Sequence, residues 1–463
     1  MDVAIIGGSV TGLWTALTLA RAGHGVTVFE RDPAPPGDAA GAVLGWQRPG
    51  TPQLRQSHAF LARTVHLVRE EAPDLYAALR DEGAHVFRAA DHLPPWIADR
   101  APRPSDDEVV TMSVRRPVFD RLLHEHAVRE GVRVDRRGAA GLVTEGGDVP
   151  HVTGVGLDDG SAYAADVVVD ASGRRSRTPR WLGVAFPESG NECGNRYYTR
   201  YYETLPGEEP PALMRGFTQG GEGDAYATLV FQGDGRSFSV PLQTEDDDEP
   251  ARVLREPAAF DAVARLLPVT AGPVAVGRPL NDPSVMAGQR NLVRRAVREG
   301  RPVATGVLLA GDAAATSNPS YGRGVSLGLV SAALVRDALA HTDPGDQVLA
   351  LDAAVEREVA PFVRNAADVD TRTRARWRAA LYGEPAPPRP ERVLWEDLFA
   401  GAMRERDLFD ALVRGANLLR TPDEILATEA GRIRAATADG WEPPLPPLPT
   451  RDELVAAATA AVA

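Results

Sequence analysis

The sequence predicts a mixed α/β fold, α+β overall. A parallel-sheet domain is assembled from separated stretches, an antiparallel sheet is inserted between them, and a helical region follows. Three observations carry this. Asp2-Val-Ala-Ile-Ile6 is a hydrophobic strand running into Gly7-Gly8-Ser9-Val10-Thr11-Gly12 and an apolar helix. Far downstream, Val307-Leu-Leu-Ala-Gly311-Asp312 is a second such strand, ending in a carboxylate and followed by Asn318-Pro319-Ser-Tyr-Gly322-Arg323-Gly324. Between them, residues 196–244 alternate polar and apolar, as antiparallel strands do.

Each element follows from local pattern. Residues 2–8 form a buried strand, and 10–22 a helix with Leu13, Ala16, Leu17 and Ala20 on one face. Gly23-His24-Gly25 stops that helix, and Val26-Thr-Val-Phe-Glu30 is the next strand, so the chain opens on a right-handed βαβ unit. A Pro/Gly/Ala-rich loop covers 33–52, and helices at about 57–71 and 74–82 are separated by Pro73. Arg116-Pro117 starts a helix reaching about residue 130. Strands are expected at 132–136, 151–157 and 162–170, the last ending in Asp170-Ala-Ser-Gly173. Tyr197 to Tyr202 is the next strand, and Tyr226 to Gln232 and Phe238 to Gln243 form a hairpin around Gly233-Asp-Gly235. Glu245 to Glu249 reads as a solvated acidic loop. A buried strand at 303–310 precedes a helix over 325–340, and 350–460 is mostly helical, with proline-rich breaks at 385–390 and 443–449. This order divides the chain into a nucleotide-binding domain (1–75, 110–185 and 300–345), a substrate-binding sheet domain (76–109 and 186–299) and a helical C-terminal region (346–463).

Composition bounds the function. A chain of 463 residues with 43% hydrophobic and 25% charged content is that of an ordinary globular protein with ample core. A net charge of −13 argues against nucleic acid as a partner. No stretch approaches the roughly 18 apolar residues of a membrane span. The first strand begins at residue 2, leaving no room for a signal peptide, so a cytoplasmic enzyme is expected. One cysteine, Cys193, excludes an internal disulfide and a cysteine-rich metal site, and no metal centre is expected. All 51 basic side chains are arginine, which rules out lysine Schiff-base chemistry.

The glycine motif carries the first chemical reading. Gly7 allows the tight turn after the strand, and Gly12 lets the helix pack close to the sheet. The amides of Val10, Thr11 and Gly12 then face a pyrophosphate at the positive end of the helix dipole. Ser9 replaces the middle glycine of the usual pattern, and its hydroxyl can donate to phosphate. Glu30 ends the second strand, where a carboxylate takes the ribose hydroxyls of adenosine. Arg31 and Ala140 are further cofactor candidates. This segment alone fits NAD(H) as well as FAD. Asp312 separates them, because a carboxylate at the end of a distant strand suits ribityl hydroxyls. Gly311, Pro319, Gly322, Gly324 and Val325 form the turn and helix start whose amides would meet the charge of a reduced flavin.

With Asp170-Ala-Ser-Gly-Arg-Arg-Ser-Arg-Thr-Pro, these motifs resemble the three fingerprints of the FAD-dependent monooxygenases, the para-hydroxybenzoate-hydroxylase type. They are most similar to actinobacterial natural-product hydroxylases and squalene-epoxidase-like polyether epoxidases. The resemblance covers about 1–345. Arg48-Pro-Gly-Thr-Pro-Gln53 through His58 also looks like family positions. The chain departs at Ala315, where the family commonly has histidine, which leaves the flavin-edge contacts open. The resemblance implies a Rossmann-like FAD-binding domain, Arg116 near the FAD, and Asp170, Gly173 and the arginines to Arg177 serving FAD and NAD(P)H. It also implies transfer of one oxygen atom from a flavin C4a-hydroperoxide to an aromatic or polyene natural-product intermediate, of the kind antibiotic biosynthesis uses.

Such chemistry needs little acid–base machinery from the protein. Tyr197 and Tyr201 share one strand face, and Tyr198 and Tyr202 the other; only one pair can face the flavin, and core packing is the alternative for any of them. Phe217, Tyr226, Phe231 and Phe238 complete the aromatic supply. His58 is a candidate base or flavin contact, or a structurally bonded histidine. The cluster Arg290, Arg294, Arg295, Arg298 and Arg301 reads as a solvated face, with NADPH phosphates as the alternative. Rival functions are a reductase like the geranylgeranyl reductases, an oxidase, and a non-catalytic FAD-binding paralogue. The lysine-dependent halogenases are set aside, because the chain has neither lysine nor a Trp-x-Trp-x-Ile-Pro stretch. A separate flavin reductase, and a monomer or a homodimer, are both compatible with the sequence.

Overall fold

The computed structural model describes residues 1–209 and 218–463. Its centre is a five-stranded parallel sheet in the order Val307–Leu309, Val167–Asp170, Asp2–Ile6, Gly25–Phe29, Arg133–Asp135. Strands from both ends of the chain thus lie side by side. The register puts Ile6 beside Asp170 and Phe29, and Leu309 beside Asp170, so the strands end together. Alternation decides which neighbour each side chain meets. Val3 and Ile5 join the helical core with Leu13, Leu17, Phe119 and Leu329, while Ala4, Ile6 and Phe29 pack on Val152, Val155 and Leu157. One face is therefore covered by the helices Val10–Arg21, Arg116–Arg129 and Gly324–Ala338. The other is covered by a three-stranded antiparallel sheet, Ala139–Glu145, His151–Leu157 and Ala162–Ala164.

A second large sheet runs Thr218–Glu222, Tyr226–Gln232, Ser237–Glu245, Asn195–Thr204, Gly277–Pro279, with Ser284–Met286 also paired to Asn195–Thr204. Its outer face (Tyr198, Tyr202, Phe238, Val240, Leu242) buries against the helix Pro257–Leu266 and against Leu454 and Ala458 of the helix Arg451–Ala460. Its inner face, bearing Tyr197, Tyr201, Ser239 and Gln243, turns toward the N-terminal segments. The hairpin tip is latched down. Asp234 accepts from the Arg115 amide at 2.7 Å and from its guanidinium at 2.6 Å, and Gly235 bonds Gly83 and His85. We propose that these two sheets mark the division into nucleotide-binding and substrate domains.

The C-terminal region is spread over the molecule. The helix Ala360–Tyr382 runs in beside the loop at 318–321. The helices Trp395–Ala402, Arg406–Ala416 and Pro422–Thr437 share a core with Leu93, Ile97 and Val109. Asn417 caps the helix Ala62–Glu71, accepting from the Ala62 amide at 2.8 Å. The proline-rich stretch before Arg451–Ala460 is tied by the Tyr226 hydroxyl to the Pro449 carbonyl, at 2.6 Å.

Several local expectations differ from what forms. The loop at 33–52 contains a short helix, Ala39–Leu44, because Asp38 caps the Gly41 amide. The helix expected from 57 starts at Ala62, since the preceding residues bond to strands and to Arg116. The stretch 162–170 splits into two strands in different sheets, and Ala139–Glu145 is an additional strand. The acidic stretch is not all solvated: Glu245 and Asp248 are buried, facing Arg374 and Arg378 and, for Asp248, Arg451. Phe217 lies outside the described residues.

Asp234→Ala leaves the half-buried Arg115 guanidinium without its carboxylate. It should cost about 2–3 kcal/mol, read as a lower urea midpoint at unchanged slope.

Candidate functional site

Three segments meet where the central strands end. Gly7 has φ +103°, and a Cβ there would stand 2.6 Å from the Ala171 carbonyl oxygen; one on Gly12 would stand 1.8 Å from that of Gly7. Only glycine permits either approach. Thr11 closes the third side, against Gly311 (φ +56°) and Gly328. The first bond inside the helix Val10–Arg21 is from the Leu13 amide to Ser9 O, and Ser9 makes no side-chain cap. The amides of 10–12 therefore have no partner within the helix, and such amides could hold an anion. The side chains of Val10 and Val325 are core, so only their backbone can serve a ligand.

A buried ladder of charge stands behind this turn. The Glu30 carboxylate accepts from the Gly8 amide at 2.9 Å, the Asp32 amide at 2.8 Å and Arg48 Nη2 at 2.8 Å. Arg48 continues to Asp120, at 3.2 Å. Asp120 holds Arg116 Nε at 2.5 Å, and Arg116 donates to Ser9 Oγ and His58 Nε2, both at 3.1 Å. A guanidinium only donates, so His58 Nε2 accepts and its Nδ1–H donates to the Gln56 carbonyl at 2.8 Å. Burial, helped by Arg116, pushes the His58 pKa down to about 3. His58 is therefore a neutral imidazole with both nitrogens committed. Of the readings the sequence offers for His58, this geometry favours the structurally bonded histidine.

Asp312 behaves differently. It makes no hydrogen bond among the described residues, and burial pushes its pKa up to about 6 against the pull of Arg116 and Arg174. Beyond it, Asn318 accepts from the Ser320 amide, and Gly322 (φ +63°) turns the chain into the helix Gly324–Ala338. Gly324 is exposed at that helix start and Pro319 is exposed in the turn.

Other expected residues are placed otherwise. Asp170 is fully buried and spends both oxygens on its own loop, accepting from Ser172, Ser176 and Thr178. It shapes the turn that carries Gly173 (φ +86°) rather than facing a ligand. Arg31 and Ala140 are exposed. Tyr197 and Tyr201 do share the inner face, but their hydroxyls are engaged. Tyr197 bonds Asn318, Ser320 and Asn195, and Tyr201 donates to the Gln56 carbonyl at 2.9 Å. Both are positioned as walls, not as acids. Of the supposed solvated arginines, Arg294 is buried, bonding Glu188 and the Ala313 carbonyl at 2.6 Å, and Arg295 pairs with Asp352. The sequence reading missed Asp120, Asn318 as an organiser, and Asp370. A hydroxyl at the second, sixth and eighth positions after Asp170 was the available sign that this carboxylate is locally consumed.

The residues present fit FAD: a glycine turn with free helix amides for pyrophosphate, Glu30 at the adenosine end, and an unbonded Asp312 at the ribityl end. The fold is the Rossmann-like fold of FAD-binding flavoproteins. Residues 2–112 match the family described as FAD dependent oxidoreductase. A dialkyldecalin synthase from Streptomyces rugosporus is 27% identical, over 93% of this chain and 83% of its own. A digeranylgeranylglycerophospholipid reductase from Methanothrix thermoacetophila is 25% identical, over 74% of this chain and 80% of its own. The FAD-dependent monooxygenase nsrK of Aspergillus novofumigatus is 31% identical, over 38% of this chain and 35% of its own. The flavin-dependent brominase Bmp2 shares the fold, with TM-score 0.62 and 16% identity, over 95% of this chain and 100% of that one. Among the described residues no helix is long and apolar enough to cross a membrane.

Asp312→Asn should weaken FAD binding about tenfold or more, seen by fluorescence titration. Its effect on the flavin-free fold has the opposite sign. Asp312 binds its proton more tightly folded (pKa about 6) than at its ordinary 3.8, so stability falls as pH rises through that window. The flavin-free variant should melt above wild type at pH 8, with the gap closing below about pH 4. For His58, the pH profile of any turnover should show no limb between about pH 5 and 8 assignable to it, because an ordinary imidazole titrates there and this one does not.

Proposed function

We propose that the protein is a single-component FAD monooxygenase, using NAD(P)H and dioxygen in the cytoplasm. It would insert one oxygen atom, by hydroxylation or epoxidation, into an electron-rich aromatic or alkene-bearing small molecule. One observation carries this reading: among the described residues, the inner sheet face offers hydrogen-bonded side chains but no free acid, base or nucleophile. Thr199 bonds Gln56, Ser57 bonds Ser239, Ser320 bonds Gln243, both inner tyrosines are engaged and His58 is neutral. A site so built leaves the reaction to its cofactor. When bound, FAD supplies the activation of oxygen. The chain's own tasks are then to hold the pyrophosphate on the amides of 10–12 beside Arg116, the adenosine end at Glu30 and the ribityl end at Asp312. Tyr197, Tyr201 and the sheet behind them orient the substrate and keep water out.

A second reading is favoured by the reach of one relative. The dialkyldecalin synthase aligns over 93% of this chain, which favours a synthase that closes rings in its substrate. Incubation with NADPH and a panel of aromatic and polyene metabolites separates the possibilities by mass. The monooxygenase predicts faster NADPH oxidation with substrate, and a product heavier by one oxygen. An isomer of unchanged mass formed without oxygen would sink it in favour of the second reading, and anaerobic addition of two hydrogens would point to a reductase.

A further inference from the structure

We propose that Asp370, on the helix Ala360–Tyr382, is a positioning residue for the cofactor-facing loop from Asn318 to Gly324, so that the C-terminal region forms part of the flavin site. The inference rests on the FAD reading above.

The Asp370 carboxylate is buried and accepts from Asn318 Nδ2 at 2.8 Å, the Tyr321 hydroxyl at 2.9 Å and Asn291 Nδ2 at 2.6 Å. The Cys193 thiol is a further donor to it. Among the described residues it makes no ion pair; the nearby cation, Arg323, is stacked on the Tyr321 ring at 4.9 Å. Only a carboxylate can face so many donors while offering none itself. Those bonds dictate which way two amides point. With its Nδ2 on Asp370, Asn318 presents Oδ1 to the Tyr197 hydroxyl and the Ser320 amide. Asn291 likewise turns its Oδ1 to the Asn318 amide, at 2.8 Å. Ser320 Oγ passes the chain on to Gln243 in the sheet, at 2.9 Å. One acceptor thus sets the loop, the inner tyrosine and the sheet in a single register.

Stability alone does not account for this residue's arrangement. Burial raises the carboxyl pKa and the neighbouring donors oppose that rise. A buried charge with no paired cation is costly to desolvate, and the donors gathered on it offset that cost. Holding the loop's donors and acceptors in one arrangement is what the carboxylate adds.

Asp370→Asn keeps the shape but sets an amide donor against Asn291 or Asn318. Expected are an FAD dissociation constant raised about tenfold or more, a changed visible spectrum of bound flavin, and faster reaction of Cys193 with a thiol reagent in the flavin-free protein. A lowered melting temperature with unchanged affinity, spectrum and Cys193 protection would overturn the proposal, since that is all a merely structural residue would show. If Asp370→Asn does not fold, Tyr321→Phe removes a single bond to the carboxylate and should shift affinity in the same direction; unchanged affinity there also overturns it. A wild-type protein that takes up no FAD would sink the cofactor reading instead. The Cys193 comparison then decides alone, and equal labelling rates overturn the positioning role.

Discussion

At the amino end of the first helix the chain approaches itself backbone to backbone, and the rest of the site depends on that contact. A single methyl group on Gly12 would overlap the Gly7 carbonyl, and one on Gly7 would overlap Ala171. Without side chains in the way, three strand ends draw level, and Thr11 can rest on both Gly311 and Gly328. The helix dipole, the Arg116 cation and the Asp312 carboxylate then point into one space. None of these would matter if the helix stood a few ångströms farther off.

Charge is organised by the same geometry. The chain carries arginine in every basic position, and arginine stays charged while bonding several acceptors at once. Arg48 joins Glu30 to Asp120, and Asp120 joins Arg48 to Arg116, so the loop at 48, the second strand and the helix from Arg116 are locked by one buried series. Such pairs add little net stability over an apolar core, since desolvation offsets their attraction. Their value here is orientation: each guanidinium has one arrangement that satisfies its neighbours. His58 illustrates it, a histidine turned into an acceptor by the cation beside it.

The sequence reading succeeded where structure is local. The glycine turn, the hairpin at Gly233-Asp-Gly235 and the two-faced tyrosine strand all follow from short-range pattern and are present, and the buried strand before Asp312 forms in shortened form, Val307–Leu309, with Asp312 in the turn after it. It failed where partners are remote or compete. Asp170 and Asp312 look alike as carboxylates closing buried strands, yet three nearby hydroxyls consume one and leave the other free. Glu245 reads as solvated until arginines from a distant helix cover it. Asp370 is an unremarkable acid in a helix until the tertiary fold sets three donors around it. No local periodicity reports such contacts.

The cap on the helix Ala62–Glu71 has a consequence for how the molecule comes into being. Its first free amide is satisfied by Asn417, 355 residues later, and the central sheet draws its edge strand from Val307–Leu309. A ribosome delivers the amino-terminal motif early but its supports late. Until residues beyond 309 have emerged, that motif lacks the glycines 311 and 328 on which Thr11 rests, and the helix Ala62–Glu71 waits for Asn417; domains fold as units only when their parts are present. The amino-terminal motif is therefore completed only after the segment carrying Gly311 and Gly328 has been made, and the helix Ala62–Glu71 only after Asn417 has.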